Sequence, residues 1–204
     1  MKSRAEQRED TRNRIVVAAA KAFSEKGFRA ASTRDIAAAA GVNQGLITYY
    51  FKSKDALWKA AAGRIFDQLR EVLEQPLEGM DAADRRAASR ERIREYVRFA
   101  AAHPELFRLM VEEGKRPDAR MRWLVDTHVK PFYERFQRMV ERTLGVSRAD
   151  VPHVFYAMAG GASMMFALRP ECRRLTGLDP ADAQVIETHA EFMARMLVPG
   201  PVGE

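Results

Sequence analysis

Apolar residues recur at three- and four-residue intervals along most of the chain, and no segment alternates apolar and polar positions over the length of a strand. The pattern predicts an all-α protein. Ile15, Ala19, Ala22 and Phe23 mark a helix over Thr11–Lys26, stopped at Gly27. Ser32-Thr33-Arg34-Asp35 has the spacing of a capping box, in which the Ser32 hydroxyl and the Asp35 carboxylate satisfy free N–H groups at a helix start. That second helix runs through Ile36 to Gly41, and Asn43 is the expected N-cap of a third. A longer helix from Ser53 through Leu57, Trp58, Ile65, Phe66 and Leu69 ends near Gln75-Pro76, and Leu77–Ala83 reads as a loop. Arg85–His103 is a charged amphipathic helix. Pro104 opens a short one through Leu106, Phe107 and Met110, Gly114–Pro117 makes a turn, and Ala119–Leu144 reads as one long helix broken or kinked at Pro131. Short connections between such helices imply an antiparallel bundle.

The short third helix raises the first functional question. At about 100° per residue, Ile47 and Phe51 share one face of "GVNQGLITYYF" while Gly45 and Tyr49 lie opposite, flanked by Leu46 and Thr48. Tyr50 lies nearer the buried side, with its hydroxyl at the surface. An outward tyrosine beside Gln44, Thr48 and a glycine is poor surface design unless it meets a partner. Two short helices joined by a tight glycine turn, the second exposing polar and aromatic groups, describe a helix-turn-helix whose second helix enters the DNA major groove. An ordinary helical corner is the alternative. Ala37, Gly41 and Ile47 favour the first reading, because small, turn-forming and apolar residues at those intervals let two short helices cross closely.

Charge adds to this. The net charge is +6, and Met1–Lys54 alone holds 11 Lys and Arg against 5 Asp and Glu, whereas the other 150 residues carry 23 of each. A wholly one-sided excess is what a polyanion attracts. The chain is long enough to bury a core without disulfides. A single cysteine, Cys172, excludes an intramolecular disulfide framework and a cysteine-rich zinc site, and points to a reducing, cytoplasmic setting. MKSRAEQRED at the start has no apolar core of a secretory signal, and Val154–Leu168 falls short of a bilayer span, so no membrane is expected.

Ile15 to Leu57, with "AAAKAFSEKGF", "STRDIAAAAGV" and "GLITYYFKSKDAL", resembles the DNA-binding domain of the TetR family of transcriptional regulators over about a quarter of the chain. The resemblance implies an N-terminal arm and three-helix DNA-binding domain over residues 1–54, and a helical ligand-binding and dimerisation domain over 55–204. By position it implies that Thr33 and Lys54 hold phosphates and that the Tyr50 hydroxyl reaches the DNA backbone. Arg34, Gln44, Gly45, Leu46, Thr48 and Tyr49 would face base edges or the groove wall. The chemistry is consistent: Arg pairs with guanine, Gln with adenine, and Leu46 can meet a thymine methyl. Thr48 stands where the family often has tyrosine.

Two C-terminal segments concern assembly. Val151–Leu168 places Phe155, Met158, Ala162, Met165 and Phe166 on one stripe, with Gly160 and Gly161 allowing close approach, and Asp182–Leu197 presents Val185, His189, Phe192, Met193 and Met196. These stripes either finish the core of one chain or, as the resemblance implies, pair with their copies in a homodimer that mirrors a palindromic operator. A small effector would bind inside the second domain, where Phe66, Phe99, Phe107, Met110, Trp123, Thr127, His128, Phe136 and Met158 are candidate wall residues, each of which can equally be plain core. The four histidines show no metal-ligand spacing and Gly160-Gly161 is not a phosphate loop, so neither a metal site nor an enzyme is expected, and no cofactor. The expectation is a transcriptional repressor bound to double-stranded operator DNA and released by a small molecule. The alternatives are an unregulated architectural DNA binder and a redox sensor acting through Cys172, which lies among Arg169, Arg173 and Arg174.

Overall fold

A computed structural model describes residues 3–73 and 81–199, and among these it contains α-helices, one π-helical turn and no strand. Helix α1 (Arg4–Ala30) begins seven residues before the expected start at Thr11. Ser3 caps it: its hydroxyl accepts from the Glu6 N–H at 3.1 Å, while the Glu6 carboxylate accepts from the Ser3 N–H at 2.6 Å. The expected stop at Gly27 is a kink, with φ 73° and ψ 166°, after which one more turn carries the chain to Ala30. Only half of the second capping box forms. The Ser32 hydroxyl accepts from the Arg34 N–H at 3.2 Å at the start of α2 (Thr33–Ala39), but Asp35 turns away to pair with Lys26 at 3.5 Å.

The turn into α3 (Gln44–Phe51) requires a left-handed residue, and Gly41 supplies it at φ 63° without the clash a Cβ brings. Asn43 then caps α3 by accepting from the Gly45 N–H at 2.8 Å. Helix α4 (Lys54–Leu73) buries Leu57, Trp58, Ala61, Ile65, Phe66 and Leu69. It packs against α1 and α3 near its start and against α5 (Ala82–Ala102) farther on. The expected end at Gln75-Pro76 and most of the Leu77–Ala83 loop lie outside the described residues. Helix α5 starts three residues before Arg85, because the Asp81 side chain caps it on the Asp84 N–H at 2.8 Å.

Helix α6 (Pro104–Gly114) opens at its proline as expected. The segment read as one long helix broken or kinked at Pro131 comprises α7 (Ala119–Leu124), a π turn (Val125–Val129) just ahead of that proline, and α8 (Lys130–Leu144). Pro131 has no N–H, and ahead of it the Lys130 N–H bonds the Val125 carbonyl five residues back. The chain ends in α9 (Val151–Ala167), α10 (Arg169–Thr176), which periodicity does not predict, and α11 (Ala183–Leu197). Helix α5 lies at the centre of this second half, packed by α4, α8, α9 and α11. Arg94 and Arg98 tie it to α11 through Glu191 and Glu187, each at 2.8 Å. A continuous apolar core runs from Ile15 to Val198, with Trp58, Phe23 and Phe166 at its most enclosed points.

The C-terminal stripe has one clear correction. Phe155, Met158, Ala162 and Phe166 are buried within the protomer, so they complete its own core and are not available to a second copy. Val151–Ala167 is apolar on nearly every face, and packing against α5, α6 and α11 selects which face turns inward.

Candidate functional site

The exposed end of the N-terminal helices is built around α3. Ile47 and Phe51 point into the core, and the residues between them are pushed outward: Gln44, Gly45, Leu46, Thr48 and Tyr49 are exposed, and Tyr50 is half-buried. Tyr49 stands out at 54% exposure. It is held from two sides, since Arg8 donates to its hydroxyl at 3.1 Å and the Lys52 ammonium sits 5.8 Å from its ring centre. The Tyr50 ring meets it edge-on at 5.1 Å. Gln44 donates to the Thr33 hydroxyl at 3.3 Å, so two residues expected to meet DNA are joined across the helix pair, with the exposed Arg34 next to Thr33. Lys54 donates to the Arg29 carbonyl at 3.2 Å, with its ammonium 4.9 Å from the Phe28 ring centre. Arg14 reaches the Ala40 carbonyl at 3.0 Å and braces the turn from α1.

Arg8, Arg14 and Lys52 escape a reading by periodicity. A signal for the first was present: Ser3-Arg4-Ala5-Glu6 has capping-box spacing, and a helix begun there carries Arg8 alongside α3.

A second site is enclosed between α4, α5, the π turn, α8 and α9. It is a cavity of about 120 Å³. Five of the expected wall residues line it: Phe66, Thr127, His128, Phe136 and Met158. The other four do not. Phe99 is buried against His103, with ring centres 4.5 Å apart; Trp123 packs edge-on against Trp58 at 5.7 Å; Phe107 and Met110 lie on α6, which contributes nothing to the wall. The wall also contains Tyr96 and three arginines, Arg70, Arg92 and Arg135, which sequence periodicity assigns to solvated helix faces.

His128 is the unusual group there. Its ring stacks on Phe66 at 4.9 Å and 12°, meets Trp123 edge-on at 5.2 Å, and fills the space beside Gly63. Both ring nitrogens are buried and find no hydrogen-bond partner among the described residues. Burial lowers its pKa, opposed by Asp67 and assisted by Arg70, which favours the neutral imidazole. A buried polar group left without a partner costs about 1–3 kcal/mol.

The third surface is the outer side of α9 and α11. Tyr156, Met164, Phe192 and Met196 are 50% exposed or more. Met165, Val185 and His189 are partly buried, and His189 hydrogen-bonds the Gly161 carbonyl at 2.9 Å. A Cβ on Gly161 would lie 2.9 Å from the Met193 methyl, so this glycine sets the approach of α11 to α9 within the protomer. Cys172 is buried, and its thiol lies 3.7 Å from the Thr176 hydroxyl. Among the described residues no group of acidic, histidine or cysteine side chains is arranged for a metal ion, and no single helix is long and apolar enough to cross a membrane.

Comparison with known proteins agrees with this geometry. Residues 15–61 match the family described as bacterial regulatory proteins, tetR family. The chain is 33% identical over 111 residues to the HTH-type transcriptional repressor NicS of Pseudomonas putida, covering 54% of this chain and 51% of that protein. It is 34% identical over 79 residues to the HTH-type transcriptional regulator BetI of Yersinia pestis, covering 39% and 40%. The matches thus span about half or less of these relatives' own lengths. The likeness in fold extends farther. A TetR-like transcriptional regulator from Rhodococcus sp. RHA1 superposes with a TM-score of 0.67 over the whole of both chains at 21% identity.

Proposed function

We propose that this chain, which belongs to the tetR family of bacterial regulatory proteins, is a homodimeric transcriptional repressor that binds operator DNA through α3 and leaves it when a small molecule occupies the cavity. One observation carries the reading. A short capped helix presents Gln44, Thr48 and Tyr49 outward, in the part of the chain that holds all of the excess positive charge. In this arrangement Gln44 and Tyr49, with Arg34, Gly45, Leu46 and Thr48, address the groove, and Thr33, Tyr50 and Lys54 address phosphates. The working division is residues 1–54 for DNA and 55–204 for effector and partner. The repressor name of NicS supports repression as the direction of control.

Effector control is supported by α4. Its first turn packs beside α3, while Phe66, Leu69 and Arg70 farther along form one wall of the cavity. A ligand can release DNA only by favouring the arrangement that binds DNA less well, and the coupling is reciprocal. Tilting α4 changes the spacing of two recognition helices in a dimer, and half-sites on DNA tolerate little change in spacing. The second copy would meet the outer side of α9 and α11 at Tyr156, Met164, Phe192 and Met196, with Gly161, Met165, Val185 and His189 at its margin.

The test is binding to a duplex selected from a random DNA pool, followed by fluorescence anisotropy as salt is raised. Six or more phosphate contacts in a dimer should cost about 10³-fold in affinity between 50 and 200 mM salt. An affinity indifferent to salt, or a failure to select any duplex, would overturn the proposal.

A further inference from the structure

The first turns of α1 precede the residues that match the family, 15–61, and they are divided lengthwise by charge. At about 100° per residue, Arg4, Arg8 and Arg12 share one face, while Glu6, Glu9, Asp10 and Asn13 lie farther round the helix. That second face is tied to α4, where Arg64 donates to the Asn13 side chain at 2.6 Å. The basic face meets α3. The Arg12 guanidinium sits 5.5 Å from the Phe51 ring centre. One turn earlier, Arg8 donates to the Tyr49 hydroxyl at 3.1 Å, with its guanidinium carbon 5.9 Å from the centre of that ring.

Arg8 reaches Tyr49 only because α1 is helical that far out. Helix ends fray unless their first N–H groups find partners, and here the Ser3 hydroxyl and the Glu6 carboxylate accept from two of them. The contact changes Tyr49 in two ways. An exposed side chain is ordered at a cost when it binds, and a ring already held by Arg8, Lys52 and the edge of Tyr50 has less freedom left to lose. The second change is chemical. The hydroxyl oxygen accepts from Arg8, so its own hydrogen is left to donate, and a phenol polarised by a cation is the stronger donor. Acceptors for it stand on base edges in the major groove, at guanine N7 and O6, adenine N7 and thymine O4.

We propose that Arg8 is a positioning residue for base reading: it holds Tyr49 with the hydroxyl set as a donor to a base edge, and the Ser3–Glu6 cap keeps Arg8 in place. This inference rests on the DNA-binding reading above and adds to it a specificity-determining residue outside α2 and α3. The competing role for Arg8 is a direct contact with phosphate. A phosphate contact strengthens selected and random duplex alike, whereas a positioning residue acts only on the base preference that Tyr49 supplies.

The experiment is a double-substitution cycle on the full chain, with discrimination between selected and random duplex read by anisotropy. Arg8→Ala and Tyr49→Phe should each lower discrimination about three- to fivefold, and the double variant should lower it no further, because either change removes the same hydrogen bond. Duplex selection repeated with each single variant should relax the same base pair. Arg4→Ala removes an equal charge one turn earlier and should leave that base preference intact. Ser3→Ala should lower discrimination less than Arg8→Ala does, and not at all once Arg8 is alanine. Arg8 is exposed and alanine is the most favourable helix residue, so these losses are not losses of fold. Losses that add in the double variant, an Arg4→Ala variant that matches Arg8→Ala, or an Arg8→Ala variant that weakens both duplexes alike with a shallower salt dependence each overturn the assignment. An unsubstituted chain that binds no duplex refutes the function proposed above instead.

Discussion

Tyr49 on α3 and Phe192 on α11 are almost equally exposed, at 54% and 51%. Their surroundings differ. Tyr49 has a guanidinium on its hydroxyl and an ammonium near its ring, within a stretch that holds all of the chain's excess positive charge. Phe192 has the His189 ring stacked 6.5 Å away and lies on a surface with the half-exposed Met196, in the part of the chain whose charges balance. An exposed aromatic ring therefore says only that a partner is absent. The charge around it separates the two partners proposed above: a polyanion for the first, another apolar surface for the second.

The largest expected effect comes from charging the apolar surface. Phe192→Asp should weaken self-association about 10³-fold, because a two-fold interface loses the same central contact twice at roughly 2 kcal/mol each. Light scattering should then report the 23.1 kDa chain in place of twice that mass, while Tyr49→Asp leaves the mass alone. A dimer that survives Phe192→Asp would break the comparison.

Effects at α3 should be smaller and of a different kind. Tyr49→Ala and Gln44→Ala should each lower discrimination between selected and random duplex by about 1–3 kcal/mol, whereas Lys54→Ala should weaken both alike. Arg8→Ala should lower discrimination a few-fold, since it releases the Tyr49 hydroxyl without removing the ring. Anisotropy on paired duplexes measures all four, and identical losses on both duplexes would remove Gln44 and Tyr49 from base reading.

The smallest effect is one of pH, and it sharpens the contrast because α3 and its flanks contain no histidine. Burial depresses the pKa of His128 and, against the Gly161 carbonyl, of His189. A folded value below the ordinary 6.5 means that the neutral form is favoured in the native state. The stability this provides is present above pH 6.5 and is lost as pH falls through the folded values. The thermal midpoint should therefore drop from pH 7.5 to 5.5, and His128→Phe should reduce the drop. An undiminished drop in that variant would leave His189 or other groups responsible.

Helix α3 was legible in the sequence because few arrangements satisfy it. Gly41 sets the turn, Asn43 sets the start, and with only Ile47 and Phe51 to bury, every other direction is outward. The face of α9 was not. Phe155 and Tyr156 are adjacent and both aromatic, and only packing against α5, α6 and α11 buries the first and leaves the second 75% exposed. The cavity was legible in part. Phe66, Thr127, His128, Phe136 and Met158 fall among the nine wall residues expected on converging helices, but its arginines follow the same spacing as any solvated face. The π turn follows from no propensity of Val125–Val129, since it depends on which carbonyl each N–H finds.

That π turn has a consequence for descent. A wider turn holds one residue more than an α-helix needs for the same rise, so it is what a single inserted codon leaves behind when the helices on either side keep their packing. Removing one residue from Val125–Val129 would restore a regular helix and rotate one flank by about 100° relative to the other. Either Trp123 would lose its contact with Trp58 and His128, or Phe132 and Phe136 would turn away from Phe155. The residue count between Trp123 and Phe136 thus decides whether both sets of ring contacts can coexist.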